Sequence, residues 1–197
     1  MSRIRSIALK PIRLTPTEAE LAIEFHGVAL HATSEMHGRL MGPTCLYSTT
    51  IEVAHPIKMT WRGEVGERSL QGRAVIPEPA WWDPESPFLY HGPIELWEHE
   101  SRVESMTLRC GLRHAEWKGE QLVWNGKPIE LRSQQLTEID EATLKASRQQ
   151  GFNAVTVPAA IVKAASLIAD RIGLLVLADP PLEIDSLLHP SVVPART

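Results

Sequence analysis

The sequence predicts a two-part α+β chain: a sandwich of short antiparallel strands over residues 1–113, then a smaller segment of parallel strands and helices over residues 114–180, with a tail at 181–197. Three observations carry this prediction. Apolar and polar residues alternate with a period of two through the first part, and the period lengthens to that of a helix after Trp124. Between the two regimes an Asn125-Gly126 pair flanked by apolar runs marks a tight hairpin.

In the first part, Leu21, Ile23 and Phe25 alternate with Glu20, Ala22 and Glu24, and Ile57, Met59 and Trp61 with Lys58, Thr60 and Arg62. Met106, Leu108 and Cys110 alternate in the same way with Thr107 and Arg109. Alternation of this kind puts one face of a strand in a core and the other in water. Ser6–Lys10, Thr49–Val53, Arg73–Ile76 and Ile94–His99 are further strand candidates. About seven short strands over roughly 110 residues is the count of an immunoglobulin-like sandwich. Residues 77–87, PEPAWWDPESP, carry four prolines, which exclude regular pairing and mark an extended crossover.

The Asn125-Gly126 turn joins Leu122–Trp124 to Ile129–Leu131, and Ile129–Arg132 reads as a short strand. Thr137-x-x-Asp140 has the form of a capping box with Asp in place of Glu, opening a helix that stops at Gly151. Phe152–Val157 is a second strand, and Pro158 stands in the first turn of the next helix. Ile161, Ala165, Ile168 and Ile172 share one face of that helix, and Gly173 ends it. Leu174–Ala178 is a continuous apolar run, as in a strand covered on both faces of a parallel sheet. The β-α-β-α-β order implies parallel crossovers, and the tail reads as one helical turn followed by proline-bearing chain.

Composition narrows the function classes. Of 197 residues, 43% are hydrophobic and 22% charged, with a formal charge of −4, so neither nucleic acid nor an anionic membrane is an expected partner. The two cysteines, Cys45 and Cys110, form no framework and point to a reduced, cytoplasmic protein, with a single bridge between them left open. The N-terminal run is interrupted by Lys10, Pro11 and Arg13, unlike a signal peptide, and no stretch reaches the roughly 20 apolar residues of a membrane span. His26, His31, His37 and Cys45 match no metal-ligand spacing, and no metal or cofactor is expected. Glu95, Glu98, Glu100 and Glu104 read as a solvated strand edge, and no nucleophile elbow or phosphate loop is present.

Five strings in order carry a resemblance. Trp82-Asp83-Pro84-Glu85-Ser86-Pro87-Phe88-Leu89-Tyr90, Gly111-Leu112-Arg113, Asn125-Gly126-Lys127-Pro128-Ile129, Gly151-Phe152-Asn153-Ala154-Val155 and Gly173–Asp179 resemble successive motifs of glycoside hydrolase family 2, the β-galactosidase and β-glucuronidase group. The resemblance implies an immunoglobulin-like sandwich followed by the first third of a catalytic (β/α) barrel. Glycoside hydrolysis needs two carboxyl groups across the scissile bond. In the resembled family these are glutamates on barrel strands four and seven, whereas this chain is expected to reach only strand three, so no catalytic residue is assigned. The segment after strand one also departs from the family: Gln135, Leu136 and Thr137 stand where the family shows asparagine, arginine and histidine, and Glu138 alone keeps its charge. Asp179 matches a family aspartate at a strand's carboxyl end. Gln135, Glu138 and Asp179 are therefore the candidate ligand-binding residues, for a carbohydrate. The Trp81-Trp82 pair offers a sugar-stacking platform, against the plainer reading of packing.

The expected function is that of a family-like protein without hydrolase activity of its own, a carbohydrate-binding or scaffold relic. Two alternatives stand beside it. Leu174–Ala178 is expected to leave an apolar strand edge exposed, open to a complementing chain that completes a split glycosidase or to a second copy in a homo-oligomer with no carbohydrate role.

Overall fold

The computed structural model describes residues 4–27, 34–62, 69–185 and 187–196. The chain is mostly β and divides into two compact units, the first comprising Met1–Pro43, Ile51–Pro79 and Tyr90–Arg109, the second Thr44–Thr50, Ala80–Leu89 and Cys110–Thr197.

The first unit is built on β1 (Ile4–Leu14), β2 (Glu18–Gly27), β3 (Ser34–Thr44), β4 (Val53–Arg62), β5 (Ser69–Pro77), β6 (Leu89–Glu98) and β7 (Ser101–Cys110). Among the described residues these seven strands form one sheet in the order β1-β2-β5-β4-β3-β6-β7. That is the strand order of an immunoglobulin constant-type sandwich, in which the first, second, fifth and fourth strands make one layer and the third, sixth and seventh the other. The layers are joined because β4 changes partner along its length. Val53–Pro56 pairs with β3, and Ile57–Arg62 pairs with β5. The predicted sandwich is thus a single curled antiparallel sheet, turning at Pro56, with Leu21, Ile23, Leu40, Ile57, Ala74, Ile76, Ile94 and Leu96 buried inside. The inner faces interlock: a Cβ placed on Gly38 of β3 would lie 2.8 Å from Ile94 Cδ1 and 3.0 Å from Ile57 Cδ1.

One predicted strand is absent and one observed strand was not predicted, each for a local reason. Thr49–Val53 is not a strand, since regular pairing begins only at Val53. β3 escapes the alternation rule because its inward positions are Ser34, Met36, Gly38, Leu40 and Gly42, so three of the five carry almost no apolar side chain.

The second unit opens with the meander β8 (Ala115–Lys118), β9 (Gln121–Trp124) and β10 (Lys127–Ile129). Asn125 and Gly126 take φ of 48° and 79°, the paired positive values of the two-residue turn that the sequence predicts. Ile129 ends β10, so the first parallel strand is not Ile129–Arg132. It is β11 (Ser133–Gln135). Helix α1 (Glu141–Gln149) is capped by Asp140 rather than by Thr137. The Asp140 carboxylate accepts the Thr143 backbone N–H at 2.7 Å, and that bond holds its pKa below the ordinary value. β12 (Ala154–Pro158), a 3₁₀ turn (Ala159–Ile161), α2 (Val162–Ile172) and β13 (Leu175–Asp179) complete a small parallel sheet in the order β11-β12-β13. Val155, Val157 and Val176 face a cluster with Leu144, Ala165, Ala169 and Ile172 of the helices. Ala154 and Leu175 face the opposite cluster, with Trp82, Leu122 and Trp124. Burial on both faces explains why Leu174–Ala178 is continuously apolar rather than alternating.

The edge of β13 is not open at its amino-terminal half. Val176 donates to the Ser191 carbonyl at 2.9 Å and accepts from the Val193 N–H at 2.8 Å, forming a parallel bridge between Val176 and Val192. The chain's own residues 191–193 lie where a free edge was expected. They are held by further bonds, from Gly111 N to Leu187 O at 2.9 Å, from Arg113 Nη2 to Val192 O at 2.7 Å and from Trp117 Nε1 to Pro194 O at 2.9 Å.

Gly173 closes α2 with φ of 67°, and a Cβ there would run into the Pro84 carbonyl oxygen. Gly173→Ala is expected to combine left-handed strain with that collision and lower stability by about 1–3 kcal/mol or more, read as a reduced urea midpoint at unchanged slope.

Candidate functional site

The three candidate ligand residues stand on the carboxyl-terminal side of the parallel sheet. Gln135 is the last residue of β11, Asp179 the last of β13, and Glu138 lies in the loop between β11 and α1. Register places Gln135 beside Thr156 of β12 and Asp179 beside Pro158, so the two strand-end residues flank β12 from opposite sides. All three side chains are exposed. None has a side-chain partner among the described residues, in contrast to their neighbours. Ser133 Oγ meets Thr156 Oγ1 at 2.7 Å, and Gln134 Oε1 accepts from Ser147 Oγ at 2.7 Å. The edge therefore presents an amide and two carboxyl groups to solvent without enclosing walls, which suits shallow hydrogen bonding to hydroxyl groups.

A cleft of about 540 Å³ lies at the other end of the sheet, where Arg132 precedes β11 and Gly151, Phe152 and Asn153 precede β12. It contains none of the candidate residues. Much of its polar lining is committed to holding loops. Asp83 Oδ1 accepts the Glu85 and Ser86 N–H groups at 2.9 and 2.7 Å. Asn153 accepts from Arg132 N and donates to Glu130 O, each at 2.7 Å. Arg148 donates to the Gly173 carbonyl and lies over the Tyr47 ring, 5.2 Å from its centroid. The cleft is assembled from three separate segments, residues 83–85, 124–132 and 148–153, which is why no local periodicity signalled it. Its visible traces were the motif strings, since Asp83, Asn125, Lys127, Gly151 and Asn153 all stand in them.

The tryptophan pair divides. Trp82 is fully buried, with its indole N–H donated to the Asp170 carbonyl at 2.7 Å and its ring 5.5 Å from that of Trp124, so it packs rather than stacks on a ligand. Trp81 is partly exposed and bridges to Leu112.

Other reactive side chains are tied to structure. Arg113 is buried, with its guanidinium over Trp124 at 4.6 Å. Burial pulls its pKa down to about 10, and the charge of Asp170 works in the opposite direction. Asp170, also buried, accepts the Ser191 N–H at 2.9 Å. Sequence periodicity did not single out Asp170; a charged residue among the buried positions of α2 was the available signal. Ser166 Oγ and His189 Nδ1 are 2.7 Å apart, but Ser166 is fully buried and its hydroxyl donates to the Lys163 carbonyl at 2.9 Å, which excludes it as a nucleophile.

The acidic run is distributed over specific partners. Glu95 pairs with Arg102 at 2.7 Å and takes the Trp97 indole N–H, while Glu98 accepts from Ser34 Oγ at 3.2 Å. Of the four weighed as a metal set, His31 and the His26 side chain lie outside the described residues, and His37 pairs with Glu35 at 3.4 Å. Among the described residues no three metal-ligating side chains cluster.

No protein-family model matches the chain. A β-galactosidase of Photobacterium profundum is 31% identical over 117 residues, covering 58% of this chain and 11% of that protein. Among solved structures, a calcium-binding mutant of Bacteroides uniformis β-glucuronidase 2 superposes with a TM-score of 0.66 at 19% identity, covering 87% of this chain and 22% of that one. Bifidobacterium dentium β-glucuronidase gives 0.65 at 17% identity, covering 89% and 30%. A glycosyl hydrolase family 2 member from Bacteroides cellulosilyticus gives 0.61 at 16%, covering 87% and 24%. Sequence and fold alike thus resemble part of glycoside hydrolase family 2, and the chain spans about a tenth of the curated relative and under a third of these structures.

Both cysteines are free, which closes the question of a bridge between them. Cys110 is completely buried, and burial, with the charge of Asp185 adding to it, pushes its thiol up to about 12. Cys45 is partly exposed. At pH 8, iodoacetamide is expected to label one thiol per native chain, at Cys45, and a second only after denaturation; mass spectrometry of digests reads the assignment.

Proposed function

We propose that this chain is a glycoside hydrolase family 2-like module with no hydrolase activity of its own, acting as a carbohydrate-binding or scaffold element. On this reading β11-α1-β12-α2-β13 corresponds to the beginning of a (β/α) barrel, and Gln135, Glu138 and Asp179 offer hydroxyl-binding groups at its carboxyl-terminal side. The observation that carries the proposal is the sheet itself. The resembled family draws its two carboxyl groups from strands four and seven, and the three parallel strands among the described residues supply neither. Two free thiols, one of them inert, are consistent with a cytoplasmic setting.

A second reading, one piece of a β-glycosidase completed by another chain, is favoured by the small share, 22–30%, of the solved relatives that this chain covers. The test is direct. The purified chain is incubated with chromogenic β-galactoside and β-glucuronide, and a parallel preparation from cells lacking the coding sequence controls for contaminants. No turnover above that control is expected. Turnover that co-purifies with the chain and exceeds the control contradicts the proposal.

A further inference from the structure

We propose that residues 187–194 act as a plug on the edge of the parallel sheet, holding β13 closed against strand pairing with a second copy of this chain. The alternation of backbone groups along β13 supplies the argument. Leu175 directs its N–H inward, to the Asn153 carbonyl at 2.9 Å on the β12 side. Val176 directs both N–H and C=O outward, where Ser191 and Val193 take them at 2.9 and 2.8 Å. With a period of two, Ala178 directs its own pair outward as Val176 does. No partner meets Ala178 there among the described residues. The plug therefore covers the amino-terminal half of this edge and stops short of the other half.

What it covers is hazardous when bare. Val176 is fully buried, and it lies in the run Leu174–Ala178, whose unpaired edge would be an apolar template for another strand. Two such edges brought together by a two-fold axis run antiparallel and satisfy each other's backbone groups without any further partner. The plug forestalls this with few backbone bonds but many side-chain anchors. Leu187, Ser191, Val192 and Val193 are buried, and Val192 belongs to the same apolar cluster as Val176. The inference is independent of any carbohydrate role, and its test uses no sugar.

Amide hydrogen exchange on the unmodified chain provides the test, because Val176 and Ala178 point to the same edge and differ only in whether the plug reaches them. After correction for intrinsic rates, the Val176 amide is expected to exchange at least about 100-fold more slowly than that of Ala178. Equal rates overturn the proposal: both fast means that the plug does not hold, and both slow means that a second copy already occupies the edge. A companion variant, Val193→Pro, removes the donor to the Val176 carbonyl. If folded by circular dichroism, it is expected to sediment as a dimer at micromolar concentrations at which the unmodified chain is a monomer, and a folded, monomeric variant also overturns the proposal. Should the variant not fold, the exchange comparison decides alone.

Discussion

The second unit depends on one buried charge arrangement. Arg113, from the segment leading into the β8–β10 meander, and Asp170, from α2, are both enclosed, and each reaches the same short stretch of chain: Arg113 Nη2 donates to the Val192 carbonyl, and Asp170 Oδ1 accepts from the Ser191 N–H. Two charges withdrawn from water are costly separately and tolerable together. Their surroundings add to the constraint, since Trp124 lies under the guanidinium while Trp82 bonds the Asp170 carbonyl and in turn receives Trp124 Nε1 at 3.2 Å and Asn125 Nδ2 at 2.9 Å on its own carbonyl. Meander, crossover, helix and carboxyl-terminal segment are thereby fixed to one point.

This arrangement also explains why the resemblance strings are so dense here. Trp82, Arg113 and the Asn125-Gly126 turn look like functional motifs, yet each is accounted for by a bond or contact within the fold. A family motif can persist because packing requires it. The exposed groups on which the proposed function rests, Gln135 and Asp179 at strand ends and Glu138 in the loop after β11, lie apart from these recognisable residues.

Legibility followed burial pattern. β2, β5 and β13 were readable because their side chains alternate or run continuously apolar, and the hairpin because Asn-Gly is the favoured chemistry for two successive positive φ values. β3 was invisible because glycine and serine occupy inward positions, and β11 was displaced by one element because Pro128 and Ile129 continue the hairpin rather than begin the parallel sheet. The covered edge of β13 could not be read at all. A parallel bridge between Val176 and Val192 is a long-range pairing, and no local period in residues 187–194 announces it. The candidate residues were legible as two strand ends and the loop after β11; the cleft on the other side joins three distant segments and was not legible as a cleft.

The most direct test of this account is a double-mutant cycle in urea on Asp170→Asn, Arg113→Met and the pair. Because removing one partner strands a buried group on the other, each single substitution should cost several kcal/mol, roughly 3–5 for the loss of a buried charge partner. The double substitution should then cost less than the sum of the two by at least about 1 kcal/mol. Losses that simply add would show that the two residues act independently and would contradict the central role assigned to their interaction.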